Sequence, residues 1–519
     1  MFSKFLLIFL SLFVQFSIAQ DLDAVRIEVP SDIDVEQFHV ETIGNDGLLI
    51  FYETLEVNKE NKRKWYFGLF DTNLKQIWLK FVPLNDKIEF ISSQNKNGNV
   101  YFLFKNINSE KFEYGFYEII TYNIKKQSFA TIAGSIPLKA EVAGFDIIGS
   151  TACLALNLKK HLTDLVFINL NNGDVNPIHI DDGIPGIIEA IYADKNNSVF
   201  YIAIKQNRDR RYITDQLFTY SVYGKRLSEI DIKGNEALKY FRKFSFLSQK
   251  NNELFIFGTY DIITGRTLSF KDIEDEVEAK SVGLFFLIIK DGKQKMLKYY
   301  DFMAFNNIAG AIRLKDISTI KLPEDTTQHS RGKQFVSASF MLTEPLLIKS
   351  SDSEYVLSVE AFRPYYIKET RMDYDFYGRP YPYTYNIFSG YEFYDVIIVS
   401  FSSKGVLLWD NDFVMEDILT YSTMRNSVVF KDENYITSAY INNGYVVSQT
   451  IEGPVDIERS KMKIGTKFPQ DRISQDENNH IVNWYGDYFL IYGYQKIKNR
   501  TLSEQSTRVV FYVNKIAYQ

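Results

Sequence analysis

Short apolar strands that recur about every fifty residues, each bounded by turn residues, predict an all-β chain. The architecture expected is a single β-propeller of eight four-stranded blades, closed by an N-terminal strand. Three observations carry this. Period-2 runs of Val, Ile, Phe and Tyr fill the chain, and no helical pattern of useful length interrupts them. The strand signal repeats. The two ends of the chain supply complementary pieces of one sheet.

The repeating unit is a turn residue followed by a short apolar strand, at residues 48–52, 100–104, 152–156, 199–203, 254–258, 355–359, 435–439 and 488–492. Successive spacings are 52, 52, 47, 55, 101, 80 and 53 residues. A second apolar strand follows most of these, as at residues 65–70 and 284–289, and then a turn and a more polar strand, as at 77–79 and 296–299. That order suits a blade whose inner strands are covered by neighbouring blades and whose outer edge meets water. The repeat over residues 418–461 is compact and its strands are weak, so seven blades plus an irregular unit is the competing count.

The ends come next. Met1-Phe2-Ser3-Lys4, an apolar run to Val14 and the small pair Ser17 and Ala19 match a secretory leader over residues 1–19, cleaved after Ala19. The apolar core is short for a ~30 Å hydrocarbon layer, which disfavours a membrane anchor. The domain then runs over residues 20–519. The last repeat stops one strand short, and Ala24-Val25-Arg26-Ile27-Glu28-Val29 offers the missing strand before Pro30. Cys153 is the only cysteine and reads as a small buried hydrophobe, so stability has to come from packing. A net charge of −6 with no concentrated basic patch argues against nucleic acid as a partner.

Function on a repeated scaffold sits in its interruptions. Insertions are expected at about residues 262–279, which carry an acidic run, at 304–332, and at 362–394. The last is unusual. It holds Tyr365, Tyr366, Tyr374, Phe376, Tyr377, Arg379, Tyr381, Tyr383 and Tyr385, with Pro364, Pro380 and Pro382 stiffening it. Tyrosine joins a large apolar body to a polar tip and has few torsions to freeze, and arginine is enriched at contact sites. Three roles compete: packing on its own blade, contact with another protein, and stacking against a sugar.

No catalytic constellation stands out. The five histidines form no HxxxH or HExxH pair, no GxSxG or phosphate-binding loop occurs, and no cofactor or metal is implied. Asp373-x-Asp375-x-x-Gly378 copies part of a calcium loop without its closing glutamate, and the Asp476-Glu477-Asn478-Asn479-His480 cluster reads as a turn.

The plan of an export leader, eight propeller repeats and a Tyr-rich insertion resembles the periplasmic propeller scaffold subunits of the outer-membrane barrel-assembly machine. It is also similar to the plug proteins of the type IX secretion translocon of Bacteroidota, whose composition the abundant Lys, Asn, Ile, Phe and Tyr resemble. Either resemblance implies a periplasmic, outer-membrane-associated interaction protein with an envelope protein as partner and no enzymatic step. The alternative is a carbohydrate-binding or polysaccharide-active propeller.

Overall fold

The computed structural model describes residues 25–30, 37–60, 62–107, 114–180, 183–207, 213–233, 239–249, 252–262, 270, 279–308, 311–312, 316–321, 334–432, 434–501 and 506–517. The expected leader lies outside the described residues, as do most of residues 262–279 and much of 304–332. Among the described residues, no helix is long and apolar enough to cross a membrane.

Among the described residues the strands form seven four-stranded sheets, one six-stranded sheet and one two-stranded sheet, all with antiparallel pairing in the ladders that define them. The first sheet shows the pattern: Phe38–Thr42, Leu48–Val57, Arg63–Phe70 and Gln76–Leu84 run as a meander. The apolar run that repeats in the sequence is the second strand of its meander, as in Leu48–Val57, Asn99–Asn106, Thr151–Asn157 and Val199–Gln206. This strand is covered on both faces by neighbouring sheets, so both parities are apolar and the signal is strong.

The first strand of a meander can be half-buried and more polar, as in Ile88–Lys96 with its Ser92, Ser93, Gln94 and Asn95. Glu141–Ile148 approaches Ile88–Lys96 on one side and Gly186–Asp194 on the other, so these first strands converge on a common axis. Polar side chains tie them there. Ser93 donates to Glu41, Lys96 pairs with Asp146, and Asp146 also accepts from the amides of Ile147 and Ala193.

Each interface between consecutive sheets is a buried apolar cluster. Phe51 and Phe67 of the first sheet meet Phe102 and Phe104 of the second. Cys153, fully buried, packs with Phe167 of its own sheet against Phe200 and Ile202 of the next. The series returns to its start. Leu490 and Phe511 of the last sheet pack on Phe38, Leu48 and Ile50 of the first. Sheets stacked face to face and closing on themselves make the fold a β-propeller.

The seam is made as the sequence predicts. Arg26–Pro30 pairs antiparallel with Thr507–Ala517, which continues to Tyr488–Lys498 and Arg472–Asn483. A buried charge network locks it. Glu28 accepts from Arg26 Nε at 2.8 Å and from Arg508 Nε at 3.0 Å and Nη2 at 3.3 Å. Arg508 also donates to both Asp471 oxygens, at 3.0 and 2.5 Å. Arg26 reaches Asn514 Oδ1, Gln495 Oε1 and the Gly465 carbonyl, and lies over the Tyr512 ring at 4.6 Å. Across the same seam, Trp484 Nε1 donates to the carbonyl of Gly47 at 2.9 Å.

Several expectations change. Residues 427–463 form a regular four-stranded sheet, Ser427–Asp432, Tyr435–Asn442, Tyr445–Glu452 and Val455–Lys463, rather than a weak unit. Its outermost strand is exposed at every position, which is why it carries no apolar signature. Asp476 to His480 lies within the strand Arg472–Asn483 at a bulge, not in a turn. Residue 418 belongs to the outer strand Leu407–Thr420 of the preceding, six-stranded sheet. Part of the expected 304–332 insertion is a strand, Ile317–Lys321, paired with Gln334–Ala338.

Candidate interaction arm

The Tyr-rich insertion is not a loop. Two strands of the six-stranded sheet, Glu354–Tyr374 and Pro380–Ser402, continue past the body of the sheet as a two-stranded ribbon. Pairing is unbroken from Glu354↔Ser402 to Tyr374↔Pro380, apart from bulges near Phe362 and Tyr365. At the root, Phe362, Phe393 and Tyr394 are buried, and Phe362 stacks on Phe393 at 5.1 Å. The third strand, Leu407–Thr420, stops pairing at Tyr391↔Thr420. Beyond that point the ribbon runs on over residues 365–374 and 380–390, about ten residues per strand or roughly 33 Å at ~3.3 Å per residue.

A two-stranded ribbon is marginal by itself. This one is held by its root and by cross-strand contacts. Arg363 makes a bidentate pair with Glu392, both bonds at 2.7 Å. Thr370 and Thr384 hydroxyls meet at 3.0 Å, and Tyr385 Oη donates to Asp373 Oδ2 at 2.9 Å. The turn is Asp375 to Arg379: Asp375 Oδ1 accepts the amides of Tyr377 and Arg379, and Gly378 takes φ +73°, which its missing Cβ allows. Asp375 is therefore a turn-making acceptor, which accounts for the partial calcium-loop spacing without a metal. Among the described residues, no group of three or more His, Cys, Asp or Glu is placed to hold a metal ion.

Register sorts the residues singled out in the sequence. Paired residues share a face, and alternate residues along a strand take opposite faces. Ile367↔Ile387, Glu369↔Tyr385, Arg371↔Tyr383 and Asp373↔Tyr381 lie on one face. Tyr381, Tyr383 and Tyr385 thus form a ladder, with Tyr383 and Tyr385 ring centres 4.6 Å apart, against a Glu369–Arg371 ion pair at 2.9 Å. Tyr365 alternates onto this face as well. Tyr366↔Phe388, Lys368↔Asn386, Thr370↔Thr384, Met372↔Pro382 and Tyr374↔Pro380 make the other face. Phe376, Tyr377 and Arg379 stand at the tip, where Phe376 is 98% and Tyr377 79% exposed, and Arg379 lies over the Tyr377 ring.

All nine predicted residues are exposed, so the arm does not pack on its own blade. The structure adds Ile367, Met372, Ile387 and Phe388 to the exposed apolar set. Their β-branched and apolar character was visible, but which face they share depends on register.

No family model matches the chain, and no curated protein matches it. Solved structures with a similar course include the β-propeller domain of the trilobed protease from Pyrococcus furiosus, 8% identical, with a TM-score of 0.35 over 83% of this chain and 98% of that one. Another is the polysaccharide lyase Uly1, 8% identical, with a TM-score of 0.38 over 82% and 90%. A third is the dihydro-heme d1 dehydrogenase NirN, 10% identical, with a TM-score of 0.33 over 84% and 78%. Likeness at this level decides nothing about what the chain does.

Proposed function

We propose that this chain is a non-enzymatic interaction module of the cell envelope, which docks onto an outer-membrane or secretion complex through the arm over residues 365–390. The observation that carries the reading is an ordered ribbon with aromatic side chains exposed on both faces and at the tip. Large exposed apolar patches on a folded protein mark contact surfaces, and Tyr and Arg are the residues that anchor them. The leader-like residues 1–19 and the architectural resemblance support a periplasmic location. They also support a role as a plug of a type IX translocon or as an assembly scaffold. Taking each sheet of four or more strands as a blade makes the ring eight-bladed.

The ring geometry favours a protein over a sugar. Tyr383 and Tyr385 cross at 66°, and Tyr381 and Tyr383 at 85°, so they share no flat platform for a pyranose face. Replacing residues 365–390 with a short turn in the natively expressed chain, and comparing proteins recovered with it from solubilised envelope, tests the reading. The truncated chain is expected to keep its far-ultraviolet dichroism and lose its partner. An unchanged partner list overturns the reading.

A further inference from the structure

The arm has two edges, and they differ. Pro380 and Pro382 are two residues apart, so the amide hydrogens they lack belong to one side of their strand. The ladder runs on through both, so that side is the outer edge. Residues of matching parity on the other strand, Lys368, Thr370, Met372 and Tyr374, must then turn their own N–H and C=O groups outward. Among the described residues nothing pairs with this second edge beyond Phe362. One edge of the arm is blocked by proline and the other is an open template.

The open edge is complementary to itself. We propose that the segment Tyr366 to Tyr374 pairs antiparallel with the same segment of a second copy of this chain, about a two-fold axis at Thr370. In that register Glu369 faces Arg371 of the second copy and Arg371 faces its Glu369, while Ile367 meets Asp373, Lys368 meets Met372 and Tyr366 meets Tyr374. Opposite charges directly across a strand pair stabilise it and like charges oppose it. Neighbouring registers are penalised. An axis at Glu369 sets glutamate against glutamate, and an axis at Arg371 sets arginine against arginine and Glu369 against Asp373. The alternation of charge along one face thereby selects one register, which is the specification a bare edge lacks.

The pairing is isologous, so it closes at two copies. Thr370 presents its N–H and C=O outward, so the residues on the axis exchange two hydrogen bonds. A two-stranded ribbon becomes a four-stranded sheet, with the two propeller bodies at opposite ends of the paired arms. A two-fold axis normal to the sheet keeps like faces together. The tyrosine ladders of both copies then lie side by side, and the proposed docking face is doubled. The inference goes beyond that docking role, since it uses the edge of the arm and not its faces.

Sedimentation equilibrium of the full chain tests it. The wild type is expected to dimerise, and Arg371→Glu to weaken the dimer about tenfold or more, because two favourable cross-strand pairs become two unfavourable ones. The exchange Glu369→Arg with Arg371→Glu is expected to restore it, and Thr370→Pro, which removes the outward donor at the axis, to abolish it. Thr370 and Arg371 are exposed and Glu369 is only partly covered, so thermal unfolding of each variant should stay close to that of the wild type. A wild-type chain that stays monomeric at ~100 μM overturns the proposal. So does a charge-exchanged double variant as weak as Arg371→Glu alone. Neither result bears on partner recovery with the arm deleted, so the two readings fail separately.

Discussion

Replacing Glu28 by Ala is expected to loosen the seam of the ring while leaving the other sheets intact. The Glu28 side chain is 5% exposed and accepts three hydrogen bonds from two guanidinium groups. Removing one partner of a buried ion pair costs about 3–5 kcal/mol, because the remaining charge is left uncompensated. Here the loss falls at the low end. Arg508 keeps both bonds to Asp471, and Arg26 keeps Asn514, Gln495 and the Gly465 carbonyl. A cost of about 3 kcal/mol multiplies the population of locally opened seam roughly a hundredfold. Hydrogen exchange reads this directly at the amides of Phe511, Val513 and Lys515, the alternate positions that turn towards the N-terminal strand. Their exchange should quicken by about two orders of magnitude, while Asn99–Asn106, in a sheet remote from the seam, stays as protected as in the wild type. Exchange at the seam within about threefold of the wild type would refute the view that this network holds the ring closed.

Other expected outcomes concern packing, backbone and pH. Phe102→Ala removes a fully buried ring between the first two sheets and should cost about 3–5 kcal/mol, measured as a lower urea midpoint. Gly47→Ala should be as damaging as a core truncation: φ is +108°, and a Cβ there overlaps the Phe70 carbonyl oxygen beside the Trp484 bond. A drop in thermal midpoint no larger than that of an exposed substitution such as Glu458→Ala would contradict it. His39 is half-buried beside Phe51 and Phe90, and desolvation followed by the nearby His480 pushes its imidazole down to about 4. The unfolded chain therefore takes up a proton that the folded chain resists. His39 support is complete above ~6.5 and is lost as pH falls towards the folded value, about 2 kcal/mol of it by pH 5. Burial holds the nearby Glu41 carboxyl up, which acts in the opposite sense, so the readout is a difference. His39→Phe should shrink the gap between urea midpoints at pH 7.5 and pH 5, and an unchanged gap would count against the assignment. Tyr383→Ala should leave the thermal midpoint within about 0.5 kcal/mol of the wild type in stability, because the ring is exposed, yet reduce partner recovery from envelope extracts.

The strands most legible in the sequence are those that the fold buries twice. Thr151–Asn157 and Asn99–Asn106 are apolar at both parities through their centres, because each is covered by sheets on either side. Ile88–Lys96 and Val455–Lys463 are equally regular strands that the pattern conceals, one at the crowded axis and one at the wet rim. The seam was readable from a different kind of signal, an orphan strand at one end and a missing one at the other. The charge network that locks it was not, since Glu28 stands more than four hundred residues before Asp471 and Arg508 and all three look like ordinary surface charges.

The arm shows the same division. By itself the sequence determined that residues 362–394 interrupt a repeat and are rich in tyrosine, proline and arginine. It left open whether they coil against the blade or stand clear of it. Only the tertiary structure decided that the two blade strands run on as one ladder, because the long-range pairing at the root sets the register of everything beyond it. Register places Tyr381, Tyr383 and Tyr385 on one face, opposite Tyr366 and Tyr374, and it turns Pro380 and Pro382 to one edge. A side-chain period of two makes each of those assignments depend on a single residue of offset, which local sequence does not record.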